Sequence, residues 1–403
     1  MTKANHFIHF GCWNNLNTKE KDGKTSKLGC LEDVMSKLSS TIEHYKTVKD
    51  NPVDFLTIAG DNYYPKKSKN PETGEKEHIV YVEKLRRGFE LLPEDIKTYM
   101  ILGNHDLETN KESRQKIFIE EKTIPEEPGN CFILNEQMKI IRKKEDIKFT
   151  IFNKLMLNND TLLLMIDTSM YSEDADNYLP CYNHLLSRTK TKSIDELKMI
   201  QNTSIMEYLV NTNIKNLIII GHHPITGYKI KDGKVKKLND IPAFIDLLKN
   251  IFKMLGPSIN YYYLCADLHL YQKGTITLEK FNEENQNMII NQYIAGTGGT
   301  ELDEMVTHDN LNTLLKEERE KLKIRDNLKY VMEETQQACG FLDCQINDGK
   351  INIKFISLSA DAEGKKRSRR KKRSRRKKRS RRKKKSRRKK KSRKSRNSKR
   401  KNN

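Results

Sequence analysis

Six short runs along the chain are predominantly apolar: DFLTIA (54–59), TYMIL (98–102), LLLMI (162–166), NLIII (216–220), YYYLCA (261–266) and QYIA (292–295). They do not alternate polar with apolar residues, so they predict strands buried on both faces, as in the interior of a layered protein. Between them the period changes. Leu28, Leu31, Val34, Met35, Leu38 and Ile42 keep a helical spacing. Ser193 with Glu196 makes a capping-box start for a helix through about Asn211. Residues 240–255 predict another, stopped by Gly256-Pro257. Near the end, CGFLDCQINDGKINIKFISLS predicts two strands joined at Asn347-Asp348-Gly349. Strands alternating with helices give an α/β fold. Residues 1–362 are expected to form its one folded domain, with two smaller domains as the alternative.

Four of the runs end in polar residues instead of an ordinary turn: GDNYY (60–64), GNHD (103–106), GHHP (221–224) and ADLH (266–269). In open α/β sheets, ligands sit beyond the carboxyl ends of strands. Any one of these ends alone suits a capped turn, but four bearing Asp, Asn and His predict one convergent site.

Charge divides the chain. It carries 77 Lys/Arg and 54 Asp/Glu, yet residues 365–403 hold 29 of the basic side chains and no acid. The rest is therefore slightly acidic, and the basic character belongs to the tail. From Lys365 a hexamer close to RSRRKK repeats, with no apolar side chain to bury, so residues 363–403 are expected to be disordered. Such a segment, including Arg369, Arg370, Lys371, Lys372, Arg375, Arg376, Lys377 and Lys378, is expected to bind nucleic acid or another polyanion through its phosphates. With about ten charges engaged, the log–log salt slope would be about −7 to −9. A nuclear import signal fits the same residues. The longest clean aliphatic runs are four or five residues, too short for a membrane span. Seven scattered cysteines (Cys12, Cys30, Cys131, Cys181, Cys265, Cys339 and Cys344) and no apolar leader predict reduced thiols. They place the protein inside the cell, cytoplasmic or nuclear and not secreted.

The strand-end motifs resemble those of the calcineurin-like metallophosphoesterases, most closely the purple (tartrate-resistant) acid phosphatases, over roughly residues 7–300. GDNYY is similar to that group's GDNFY, GNHD matches outright, GHHP is similar to GHxP, and IAGTGG (294–299) resembles a glycine-rich strand end near the family's site. The resemblance implies a four-layer α/β/β/α sandwich of two mixed sheets with two metal ions at the sheet edges. Asp61 would bridge the metals, Tyr64 and His269 would bind the first, and Asn104 and His222 the second. His105, oriented by Asp106, would protonate the leaving group.

Two positions depart from the pattern. Where the family has GDWG, this chain has Gly11-Cys12-Trp13-Asn14, and where it has GHxH, this chain has Ala266-Asp267-Leu268-His269. Both substitutes, Cys12 and Asp267, are competent ligands. The resemblance thus implies two divalent or mixed-valence ions (Fe, Zn or Mn), with the Cys12 thiolate favouring Zn or Fe. Implied is a phosphoric ester hydrolase in which hydroxide held between the metals attacks phosphorus. A catalytically impaired phosphoesterase fold that binds nucleic acid or another polyanion is the alternative. His9 and His223 are read as supporting residues.

Overall fold

The computed structural model describes residues 4–21, 24–69, 72–74, 76–108, 114–119, 122–123, 131–186, 193–210, 212–238, 241–280, 285–307 and 328–358. The expected domain boundary near residue 362, the expected disorder and the tail residues Arg369 to Lys378 lie outside them. The chain divides into two units, Met1–Ile356 and Ser357–Asn403, and the first carries the fold.

Two mixed sheets dominate it. The first has the order β10 (Ile147–Phe149), β7 (Lys97–Ile101), β4 (Phe55–Ala59), β1 (His6–Phe10), β20 (Gly340–Asn347) and β21 (Lys350–Ser357). Strands β1, β4, β7 and β10 run parallel, and β20 pairs antiparallel with β1. The second has the order β11 (Phe152–Asn158), β12 (Thr161–Ile166), β13 (Asn216–Ile220), β16 (Asn260–Cys265), β18 (Met288–Ala295), β17 (Tyr271–Leu278) and β19 (Leu328–Gln336). Here β12, β13, β16 and β18 are the parallel members. Smaller sheets comprise β2 (Thr18–Lys21) with β3 (Lys24–Lys27) and β14 (Gly227–Lys231) with β15 (Lys234–Leu238). A third small sheet joins β5 (Lys66–Lys69), β6 (Lys76–Tyr81), β8 (Arg114–Ile119) and β9 (Lys122–Thr123).

The apolar runs have the predicted double burial. In β12, Leu162, Leu164 and Ile166 face helices, while Leu163 and Met165 face the other sheet. The inter-sheet layer also takes Phe7, Phe55 and Ala59 from the first sheet and Ile218, Ile220 and Leu264 from the second. Helices α4 (Ala175–Leu185), α5 (Ile194–Leu209) and α6 (Pro242–Leu255) cover the second sheet through Tyr182, Ile205, Phe244, Ile251 and their neighbours. Helix α1 (Leu31–Thr47) lies against β20, while α2 (Val82–Glu90) packs with α3 (Phe132–Ile141). This is the four-layer α/β/β/α sandwich expected. Ser193 caps α5, its Oγ accepting from Glu196 N at 3.2 Å. Among the described residues no helix is long and apolar enough to cross a membrane.

The cysteines correct the sequence reading. Cys30 is bonded to Cys339 and Cys131 to Cys181, leaving Cys12, Cys265 and Cys344 as buried thiols. Partners 309 and 50 residues apart carry no local signal. Pairing of β20 with β1 brings Cys339, just before β20, to Cys30 at the start of α1. The argument from reduced thiols for an intracellular location therefore falls.

Candidate metal centre

The parallel strands deliver their carboxyl ends to one rim. Strand β1 leads to Cys12, β4 to Asp61 and Tyr64, β7 to Asn104, β13 to His222, and β16 to Asp267 and His269. Three of these residues hold left-handed backbone at their turns: Cys12 at φ 51°, Asp61 at φ 52° and Asp267 at φ 58°. Such conformations cost of order 1–3 kcal/mol each outside glycine and cluster at functional sites. The turns also need bare backbone beside them. A Cβ on Gly103 would lie 2.3 Å from Asp61 Oδ1 and 2.7 Å from His222 Cε1.

Asp61 stands at the middle with its two oxygens turned to different partners. Oδ2 accepts from the Tyr64 hydroxyl at 2.6 Å and lies 3.8 Å from Cys12 Sγ. The Tyr64 hydroxyl is also 3.0 Å from His269 Nε2. Oδ1 accepts from His105 N at 3.1 Å and lies 3.4 Å from His222 Nε2. His222 Nε2 is 3.0 Å from Asn104 Oδ1 and 3.8 Å from Asp267 Oδ1. The other nitrogen, Nδ1, donates to the Ala59 carbonyl at 2.6 Å. A carbonyl only accepts, so Nδ1 carries a proton, and Nε2 faces oxygens alone, where it either holds a second proton or meets a cation. All seven sequence-predicted ligands thus meet at the rim. Among the described residues two sets hold potential ligand atoms within 4.8 Å of one another: Cys12, Asp61 and His269, and His222, His223 and Asp267. The second brings in His223, which the sequence reading gave a supporting role. His9, by contrast, lies between the sheets, 3.0 Å from Thr57 Oγ1.

The electrostatics suit a cation. Burial opposes ionisation of Asp61, but His222, His105 and the Tyr64 hydroxyl overcome it and hold the carboxyl below the usual carboxylate range. Burial, then the Asp61 charge, pushes the Cys12 thiol and the Tyr64 phenol well up. Both keep their protons unless a cation stands against them. A buried carboxylate, a second acid, a carboxamide and the imidazoles of His222 and His269 form a donor set that fits two metal ions.

One expectation fails. Asp106 does not orient His105. Its carboxylate is buried and accepts from Asn62 N (2.8 Å), Asn62 Nδ2 (2.9 Å), Gly103 N (2.9 Å) and Gln137 Nε2 (2.7 Å). It stitches the GDN turn to the GNHD turn. His105 Nδ1 donates instead to Glu108 Oε1, and Glu108 Oε2 accepts a second hydrogen bond from His78 Nδ1 at 2.7 Å. The short 3-10 turn Asn104–Asp106 explains the exchange, because Glu108, just past its end, follows His105 by three positions, about one turn of that winding. An acid at that spacing is a signal the sequence offered. Burial lowers the His105 pKa, but Glu108 and Asp61 prevail and push it up to about 9. Asp303, also unmarked in sequence, accepts from His269 N at 2.9 Å.

The sequence profile of the calcineurin-like phosphoesterase family matches residues 6–271. Among solved structures the chain is similar to the purple acid phosphatase PPD1 from yellow lupin (Lupinus luteus) seeds. That match has 11% identity and a TM-score of 0.45, and covers 88% of this chain and 52% of that one. The chain is also similar to the structure of PhoD at 12% identity and a TM-score of 0.46, covering 88% of this chain and 69% of that one. It spans about half the length of the lupin protein. No curated protein matches the chain by sequence.

Proposed function

Since the chain belongs to the calcineurin-like phosphoesterase family, we propose that its rim site is a dinuclear metal centre that hydrolyses phosphoric esters. The observation that carries this reading is Asp61, whose two carboxylate oxygens address two separate donor groups. Cys12, Asp61, Tyr64 and His269 would hold one ion. Asp61, Asn104, His222 and Asp267 would hold the other. Bound there, the ions would supply Lewis-acid stabilisation of phosphoryl oxygens and an activated water.

The protein's own groups do the rest. Glu108 fixes His105 with its proton on Nδ1, and the raised pKa keeps the ring cationic at neutral pH, so Nε2 holds a proton for the leaving oxygen. His78 steadies Glu108 from the far side. Asp106 keeps the turns of Asp61 and Asn104 in register and takes no part in proton transfer. Cys12 selects borderline ions such as zinc or iron. The basic tail, including Arg369 to Lys378, is proposed to bind a polyanion on the strength of its charge alone.

The test is hydrolysis of an alkyl phosphate by the metal-loaded protein. His105→Ala should cost about 100- to 10,000-fold in kcat while metal content stays at the wild-type level. Unchanged kcat would remove His105 as the acid.

A further inference from the structure

Immediately after GHHP the chain folds into the β14–β15 hairpin. Its register sets Lys229 opposite Lys236 and Lys231 opposite Lys234. Side chains alternate across a strand, so these four lysines share one face. The other face is packed, with Tyr228 and Val235 buried against Val306 and Met332. Lys231, Lys234 and Lys236 are exposed. Like charges directly opposite one another destabilise a hairpin. Among the described residues only Lys229 of the four has an ion pair, its Nζ 3.1 and 3.2 Å from the Asp303 oxygens.

That pair fixes where the face begins. Asp303 accepts the backbone N–H of His269, a candidate ligand, and Ile230 N donates to Glu304 O at 2.9 Å. The lysine face therefore starts at the rim site and runs outward along the hairpin. It is also out of keeping with its surroundings. Outside the tail acids outnumber bases, whereas residues 229–236 carry four lysines and a single acid, Asp232, in the turn. On the other flank, exposed Lys67 in β5 stands opposite His78, which bonds through Glu108 to His105. Among the described residues of the hairpin none on the lysine face is aromatic, so recognition there is of charge.

We propose that Lys231, Lys234 and Lys236 form a subsite for the backbone phosphates of a nucleic-acid strand whose reacting phosphate lies at the rim site. This rests on the hydrolase reading above. Arrayed amines would hold a phosphodiester chain without reading its sequence, and the anion would relieve the two like-charged pairs.

Lysine acetylation footprinting of the full-length protein tests it, with a short oligothymidylate as probe and mass spectrometry reading each lysine separately from the tail. Lys231, Lys234 and Lys236 should lose reactivity when the oligonucleotide is added, while Lys46 and Lys249, exposed on α1 and α6, keep theirs. Changing the three together (Lys231→Gln, Lys234→Gln, Lys236→Gln) should raise KM for a phosphorylated oligonucleotide about tenfold. The KM for phenyl phosphate should stay within about twofold. Unprotected hairpin lysines in a protein that hydrolyses phenyl phosphate would overturn the subsite and leave the hydrolase standing. Protection without hydrolysis of either ester would leave the binding face standing and overturn the hydrolase. Equal loss on both esters would show that the lysines act on the fold and would overturn the subsite.

Discussion

Replacing Asp106 by alanine should damage the fold more than its position in a catalytic motif suggests. The carboxylate accepts four N–H groups, from Asn62 twice, Gly103 and Gln137, in a pocket closed to solvent. Each buried donor left without a partner costs about 1–3 kcal/mol. A water entering the space would serve some of the four, leaving a loss of roughly 3–5 kcal/mol. With about 2.1 cal/mol/K of unfolding entropy per residue over roughly 350 folded residues, Tm should fall by about 4–7 °C. The assay is thermal unfolding followed by calorimetry and by fluorescence of Trp13, the one tryptophan. Its Nε1 donates to Asn62 Oδ1 at 3.1 Å, so the probe sits one residue from the lesion. A Tm within about 1 °C of wild type would refute the reasoning.

Two further outcomes follow from buried groups away from the rim. His6 donates from both nitrogens, to Asn51 O at 2.9 Å and to Asp343 Oδ1 at 2.7 Å, so it is charged in place. Burial lowers its pKa, but Asp343 overcomes that and the value is raised; the Asp343 pKa is lowered despite burial, through His6 and Tyr45. Stability from His6 is full below its unfolded pKa near 6.5 and is lost as pH rises through the raised value. That from Asp343 is present above about 3.9 and is lost as pH falls through the lowered value. Urea midpoints should therefore decline above about pH 6.5, and His6→Gln should flatten that decline; an unaltered slope would count against the ion pair. Peptide mapping without reductant should recover Cys30–Cys339 and Cys131–Cys181, and reduction should cost roughly 2–4 kcal/mol per bridge; all seven thiols free in native protein would contradict the pairing.

The sequence showed the fold where burial was two-sided. LLLMI and NLIII have no polar face, and both became interior strands. It hid β1, because HFIHF places His6 and His9 inside a fully buried strand. Those imidazoles find their partners far off in the chain, His6 at Asn51 and Asp343 and His9 at Thr57. Strands β17 and β19 were hidden because one face of each stays partly wet, so the apolar signal is halved. The rim was legible because each ligand follows its strand directly. Asp303 and the Lys229 hairpin were not, since their roles depend on which turns the sheet rim brings together, whereas Glu108 was offered by its spacing after His105 and went unread. Asp106 was misassigned for a related reason: adjacency to His105 in sequence says nothing of direction, and its side chain turns inward to four donors.

The claim on which the account depends is that Asp61 joins two metal ions. Metal content measured by mass spectrometry on full-length wild type and Asp61→Ala, alongside phenyl phosphate hydrolysis, tests it most directly. The account predicts about two equivalents of zinc or iron and turnover in wild type, with both lost in Asp61→Ala. Wild type that binds no metal and releases no phosphate, or Asp61→Ala that retains both ions, would contradict it.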